Sequence, residues 1–302
     1  MHIVIATAEP RGAYHLVPLH QSMMLSSSRF THLVPYPEAL QGEAWSSVSS
    51  DANILGSAEL VVITGGGFSA WTELVARRAD ELNLPWVVSE LAYGSRPDGI
   101  ARPQPFALSA MSRAGASLFA EYHGSEFGEV VITGTPLLDN LPIWRPIDKR
   151  ALILSSVDAA IRDPGNVLRE IASRLVEDRW EVVVRTHPRE DRAYWDGFKL
   201  DYSPTPALAA QSASIVIGYP GSAHPICAAL GVPTVAVVPT PELYAALPPA
   251  HCAIIPTWIE FADELEPYSL PASNEATIEY ICGPIGGSAQ RLLDFWSSVA
   301  PR

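Results

Sequence analysis

Cysteine is scarce in this chain of 302 residues: Cys227, Cys252 and Cys282 are odd in number, widely spaced and outside any CxxC pattern. No disulfide framework or zinc site follows from them, and a reducing cytoplasm is the plain reading. Positive charge is also short, with 20 Lys and Arg against 33 Asp and Glu and a formal net charge of −13. Proteins that coat nucleic acid or an anionic bilayer carry a surplus of Lys and Arg on one face, so neither partner class is expected. Any anionic ligand must then be held by a local cluster. No apolar run approaches the roughly 20 residues that cross a bilayer. The opening MHIVIATAEPRG lacks the basic start and long apolar stretch of a signal peptide. The expectation is a soluble, cytoplasmic protein.

What is present is an α/β pattern. Short apolar runs recur at His2 to Ala6, Leu60 to Thr64, Trp86 to Val88, Val130 to Thr133, Ala151 to Leu154, Glu181 to Arg185, Ile215 to Gly218 and Thr234 to Val238. They are nearly continuous in Val, Ile and Leu, as in strands buried on both faces of a parallel sheet. The clearest helix spans Pro164 to Glu177, with Asp163 as N-cap and Val167, Leu168, Ile171, Ala172, Leu175 and Val176 on one apolar face. The stretch LPIWRPIDKR, with two prolines and a local run of charge, reads as a linker before a fresh strand at Ala151. The expected organisation is two doubly wound, Rossmann-like domains facing a cleft, residues 1–145 on the acceptor side and 146–302 on the nucleotide side. The apolar stripe of Ser288 to Val299 is expected to return to the N-terminal half, with Gly283, Gly286 and Gly287 as a pivot.

Doubly wound sheets bind ligands at the C-terminal ends of their strands, so the loops there carry the candidate chemistry. IVIGYPGSAHPICAALGVP places Gly221 and Ser222 where a strand turns into a short helix, a setting for close backbone approach to an anion. VVVRTHPRED delivers Arg185, His187 and Arg189 within five residues at another strand end, a concentrated positive site in an acidic chain. The plainer alternative pairs Arg189 with Glu190 or Asp191 and leaves His187 to cap the strand. The first loop, TAEPRGAYH, supplies Glu9, Arg11, Gly12 and His15 without a GxGxxG fingerprint. Glu9 or His15 could serve as a general base, or Glu9 could simply pair with Arg11. The run Gly65-Gly66-Gly67 lacks the Lys-Ser/Thr of a Walker A loop and is no nucleophile elbow, yet it allows a ligand close to the backbone.

In order and spacing these segments resemble the GT-B superfamily of nucleotide-sugar glycosyltransferases, and within it the UDP-N-acetylglucosamine 2-epimerase branch. VVSELAYGSR (Val87 to Arg96) takes the place of that branch's HVEAGLR segment, and VVITGTPLLDNLPIW is similar to its ITGN-T-hydrophobic-D strand. RTHPRED resembles the HP-containing loop, which bacterial sialyltransferases and CDP-glycerol-type polymer transferases share. GYPGSAHPICAALGVP resembles the SGG-to-LG-P segment. The resemblance implies that Glu90 is a kept catalytic glutamate and that His187 serves the donor's phosphate. It also exposes losses: Gly66 stands for an acidic residue, RPQPFALS has no carboxylate, and Pro225 and Ile226 replace paired glutamates.

Epimerisation needs those carboxylates, so the leading expectation is a metal-independent glycosyltransferase without a resident cofactor. Its donor would be a nucleotide-activated sugar and its acceptor a small molecule or glycan. Glu9, His15 and Glu90 are the catalytic candidates. Arg11, Gly12, Gly66, Arg96, Arg185, His187, Arg189, Gly221 and Ser222 are the binding candidates. A nucleotide-sugar 2-epimerase or hydrolase and a non-catalytic sugar-nucleotide-binding partner are the alternatives, and a homodimer is left open.

Overall fold

The computed structural model describes residues 1–7, 17–19, 22–23, 27–35, 48–64, 70–90, 105–117, 130–155, 165–187, 190–221, 223–239 and 257–300. The chain divides into two compact units, residues 1–140 with 279–302, and residues 141–278. The expected division at 145/146 lies a few residues past the observed one, and the C-terminal segment belongs with the first unit.

In the first unit, seven parallel strands form a sheet in the order β3-β2-β1-β4-β5-β6-β7. They are β1 (His2–Thr7), β2 (Arg29–Leu33), β3 (Val48–Ser49), β4 (Leu60–Thr64), β5 (Trp86–Ser89), β6 (Ala107–Ala110) and β7 (Val131–Ile132). The second unit holds six parallel strands in the order β10-β9-β8-β11-β12-β13. These are β8 (Arg150–Leu154), β9 (Glu181–Arg185), β10 (Lys199–Leu200), β11 (Ile215–Gly218), β12 (Thr234–Val237) and β13 (Thr257–Ile259). Each sheet starts at a central strand, winds outward to one edge, then crosses back and winds to the other. That order creates a topological switch point beside the first strand, between β1 and β4 and between β8 and β11.

The apolar runs become strands because both of their faces are covered. On one face of the first sheet, Ile3, Ile5, Val62 and Val87 pack against Leu292, Phe295 and Trp296 of α6 (Ser288–Val299). Opposite, Val4, Ala6, Val61, Ile63 and Val88 meet Val75, Ala76 and Ala79 of α1 (Ala70–Glu81). Alternation along each strand sorts its residues between these two layers. In the second unit, α2 (Val167–Glu177) buries Val167, Leu168, Ile171, Ala172 and Leu175. It begins at Val167, with Asn166 at the cap position in the left-handed region (φ 56°), rather than at Pro164. The proposed cap Asp163 lies outside the described residues. Val176 is about half exposed, so it does not share the buried face.

Three shorter helices are α3 (Pro206–Ala210), α4 (Ala223–Ala229) and α5 (Glu275–Cys282). The apolar stripe of α6 belongs to the first unit, where the fully buried Trp296 donates from Nε1 to Ser89 Oγ at 3.0 Å. Asp139 fixes the start of this helix. Its two carboxylate oxygens accept the backbone N–H groups of Ser288 at 2.7 Å and Ala289 at 2.8 Å, two of the donors a helix start leaves unpaired. Arg291 adds Nε donation to Thr133 O at 2.8 Å. Gly283 has φ 73°, and a Cβ on it would lie 1.9 Å from Met111 O, so it is wedged within the first unit. With Gly286 and Gly287, also at positive φ, it turns α5 into α6 within that unit.

Replacing Asp139 with Ala should therefore lower stability by about 1–2 kcal/mol, the cost of losing a helix cap. Asp139→Asn, which keeps one acceptor, should cost less. Urea unfolding followed by tryptophan fluorescence reads both, and identical midpoints for all three proteins would show that the cap carries no weight.

Candidate functional site

In the second unit the site is organised by register. Leu154, the last residue of β8, pairs with Arg185 at the end of β9 on one side and with Gly218 at the end of β11 on the other. Three central strands therefore end level, and the chain leaves them as Ser155, Thr186–His187 and Tyr219–Gly221. Gly218 makes this fit: a Cβ there would stand 2.3 Å from Leu154 O and 2.6 Å from Leu154 Cβ. Only glycine lets β11 lie this close to β8 at the switch point. Ser155 N donates to Arg185 O at 3.0 Å and Tyr219 N to Leu154 O at 3.3 Å, which carries the sheet's bonding one residue into the loops.

Gly221 behaves differently. Its backbone is outside the left-handed region, and an added Cβ would meet only Tyr219 O, at an ordinary 3.8 Å. Neither conformation nor packing among the described residues calls for glycine there. Helix α4 starts two residues later, and its Pro225 and Ile226 are buried in the unit's interior. Ser222 and Arg189 lie outside the described residues.

Arg185 is engaged at one terminal nitrogen. Its Nη1 donates to Asp201 Oδ2 at 2.5 Å and to Ser203 O at 2.8 Å. Asp201 is almost wholly buried, and its other oxygen accepts Ser203 N at 3.1 Å and Ser203 Oγ at 2.6 Å. The guanidinium is a brace that ties the end of β9 to the loop after β10. A spacing of Asp-x-Ser after a strand is the signal of such an Asx turn, and it identifies Asp201 as the partner that the strand-end reading missed.

His187 is held through its backbone. Its N–H donates to Glu190 Oε2 at 3.0 Å, and its carbonyl accepts Glu190 N at 2.9 Å. Glu190 Oε1 in turn accepts Ser155 Oγ at 2.5 Å and Trp195 Nε1 at 3.1 Å. The imidazole-bearing turn is thus fastened to the loop that follows β8.

The first unit has its own polar edge. Register places Thr7, Thr64, Ser89 and Ser109 in one rung across β1, β4, β5 and β6, all buried. Thr7 and Thr64 hydroxyls lie 2.7 Å apart, and Ser109 Oγ donates to Ser89 Oγ at 2.9 Å. Glu90 follows directly. Its N–H donates to Ser109 O at 2.9 Å, and its Oε2 accepts Met111 N at 3.0 Å. The carboxyl lies flat over Gly115, where a Cβ would fall 2.0 Å from Oε2. Burial pushes its pKa up to about 7, partly offset by the Met111 N–H, which favours the carboxylate. A carboxyl that exchanges its proton near neutrality is poised for acid–base work. Glu9, Arg11, Gly12, His15, Gly66 and Arg96 lie outside the described residues.

No family model matches the chain, and no curated protein matches it. Solved structures do. The UDP-GlcNAc 2-epimerase of Methanocaldococcus jannaschii, in complex with UDP-GlcNAc and UDP, is 12% identical with a TM-score of 0.66, covering 99% of this chain and 100% of its own. CalG4, the calicheamicin glycosyltransferase, is 16% identical with a TM-score of 0.62 and 99% of both chains covered. The spinosyn rhamnosyltransferase SpnG, complexed with thymidine diphosphate, is 12% identical with a TM-score of 0.57, covering 99% of this chain and 97% of its own. The chain has the GT-B fold, two Rossmann-like units of parallel sheet and helices.

Glu90 yields a prediction independent of any substrate. Its folded-state pKa lies above the ordinary 4.5, so its contribution to stability is fully present below pH about 4.5 and is lost as pH rises to about 7. Glu90→Gln keeps an acceptor for Met111 N and removes the charge. The variant's stability relative to wild type should rise across that window, by on the order of 3 kcal/mol, and level off above it. A difference that is flat from pH 4 to 8 in denaturant titrations would contradict the assignment.

Proposed function

We propose that this protein is a glycosyltransferase that takes its sugar from a nucleotide-activated donor, with the donor's diphosphate held at the level strand ends of β9, β8 and β11. One observation carries the reading: a glycine that packing among the described residues does not require, Gly221, stands on the same sheet edge as the anchored His187. Close approach of a ligand to the backbone gives Gly221 a purpose. The imidazole and the N–H groups of the loops can then bear charge that develops on the departing diphosphate. In the transfer an acceptor hydroxyl attacks the anomeric carbon, the bond from that carbon to the diphosphate oxygen breaks, and the hydroxyl proton passes to a base. Glu90 has the proton affinity for that role or for orienting the acceptor, and Glu9 and His15 remain the first-loop candidates. Arg185 supports the site as a brace, and Arg11, Gly12, Gly66, Arg96, Arg189 and Ser222 stay in the proposal on the sequence pattern alone.

The structural neighbours support a nucleotide-sugar ligand, since one was solved with UDP-GlcNAc and UDP and another with thymidine diphosphate. The buried carboxyl of Glu90 favours a second reading, a nucleotide-sugar 2-epimerase or hydrolase. Against it, the positions that resemble the paired epimerase glutamates are Pro225 and Ile226, buried in α4 without chemistry to offer. We take the protein to work in the cytoplasm without a metal or resident cofactor, and no helix among the described residues is long and apolar enough to cross a membrane.

Calorimetric titration with UDP, CDP, GDP and dTDP should find a binding nucleotide, and His187→Ala should weaken it by about tenfold or more, as expected for a lost charge-assisted contact. Turnover of the matching nucleotide sugar should require an acceptor. Turnover without acceptor would favour the epimerase or hydrolase, and tight binding without turnover across an acceptor panel a non-catalytic protein. Absence of nucleotide binding would overturn the proposal.

A further inference from the structure

A carboxylate beside a site for phosphate is electrostatically adverse, so Glu190 needs a reason to be where it is. Its hydrogen bonds supply one. Three donors from three separate segments converge on its two oxygens: Ser155 Oγ from the loop after β8, His187 N from the loop after β9, and Trp195 Nε1 from the turn Arg192–Trp195. Trp195 is a rigid reference point. Its side chain is 1% exposed, and it packs edge-on against Tyr194 and Phe198, with ring centroids 5.2 and 5.7 Å away. Nε1 also reaches Ser155 Oγ at 3.0 Å, which closes a triangle of indole, hydroxyl and carboxylate. Glu190 N returns to His187 O, so the two residues are joined by a backbone bond as well as by the carboxylate.

We infer that Glu190 is a positioning residue: it clamps the His187 turn to the end of β8 and so sets where the imidazole stands at the strand ends. The inference rests on the donor-site reading above for its functional consequence, while the clamp is a property of the fold. A carboxylate is required because it is acceptor-only and can serve all three donors at once. In Glu190→Gln the amide has one acceptor oxygen and one NH2 group. If the oxygen stays with Ser155 and Trp195, the NH2 faces the His187 N–H, donor against donor, and the turn is released.

Two accounts of Glu190 differ in sign. As a mere neighbouring charge, its removal would tighten binding of an anion. As a clamp, its removal weakens binding although the repulsion is gone. The test compares wild type, Glu190→Gln and Trp195→Phe by calorimetry with UDP and dTDP, together with the 1H–15N signal of the His187 amide and the pH titration of its ring. We expect Glu190→Gln to bind the nucleotide about tenfold or more weakly, since small misplacements of a binding group carry penalties of this size. Its His187 amide signal should move, and its ring titration should shift. Trp195→Phe, which removes one donor and keeps an aromatic, though smaller, side chain, should move the same readouts less, and it decides the matter if Glu190→Gln fails to fold. Equal or tighter binding by a folded Glu190→Gln, or an unmoved His187 amide and ring, would overturn the inference. If the wild type binds neither nucleotide, the functional proposal fails for these ligands, and the His187 signals still judge the clamp by themselves.

Discussion

The contact of Gly218 with Leu154 is the constraint on which the second unit depends. Two strands of a parallel sheet diverge at a switch point because their connections leave toward opposite faces, and that divergence opens the crevice where ligands sit. At Gly218 the absence of a side chain lets β11 close fully on β8 before the chains part. The level ends of β9, β8 and β11 follow, and with them the alignment of the Ser155, His187 and Gly221 loops. A methyl group there would push against a backbone carbonyl rather than a pliable side chain. The sheet would have to give, and every loop of the site would shift with it.

The first unit is built on a different compromise. Its sheet is largely apolar in the central strands and turns polar in their last rung, where Thr7 pairs with Thr64, Ser109 with Ser89, and Trp296 completes the Ser89 hydroxyl. Paired in this way, buried hydroxyls avoid the cost of an unmade hydrogen bond. The same edge carries Glu90, whose charge the interior resists. A fold can tolerate a carboxyl of this kind when it is protonated for much of the time or when a ligand gives it a partner, and both conditions suit a residue that handles protons.

Much of the architecture was legible in the apolar runs: β1, β4, β5, β8, β9, β11 and β12 all lie where continuous Val, Ile and Leu predict buried parallel strands. Strands β2 and β6 escaped because buried polar residues, Thr31 and His32 in one and Ser109 in the other, interrupt their apolar runs. Thr31 shares a hydrogen bond with the ring of His2, and Ser109 pairs with Ser89, so burial there rests on partners that periodicity does not see. The site divided in the same way. His187, Gly221 and Glu90 are candidates from strand-end position and local motif, and the structure places each of them at a strand end. Arg185 reads as a ligand group for the same reason, yet one of its terminal nitrogens is held by Asp201, sixteen positions away, whose own Asp-x-Ser turn is local but whose pairing with Arg185 is made only by the fold. Glu190 enters the sequence reading only as one of two alternative partners for Arg189, because only the fold brings Ser155 and Trp195 to its carboxylate.

The central claim is that the C-terminal ends of β8, β9 and β11 receive the diphosphate of a nucleotide-activated sugar. A crystal structure of the protein with a bound nucleoside diphosphate tests it most directly. The account predicts phosphate oxygens within hydrogen-bond distance of the His187 imidazole and of backbone N–H groups next to Gly221, with Arg185 still joined to Asp201. A diphosphate bound elsewhere, or one that draws Arg185 away from Asp201 and leaves His187 without contact, would contradict it.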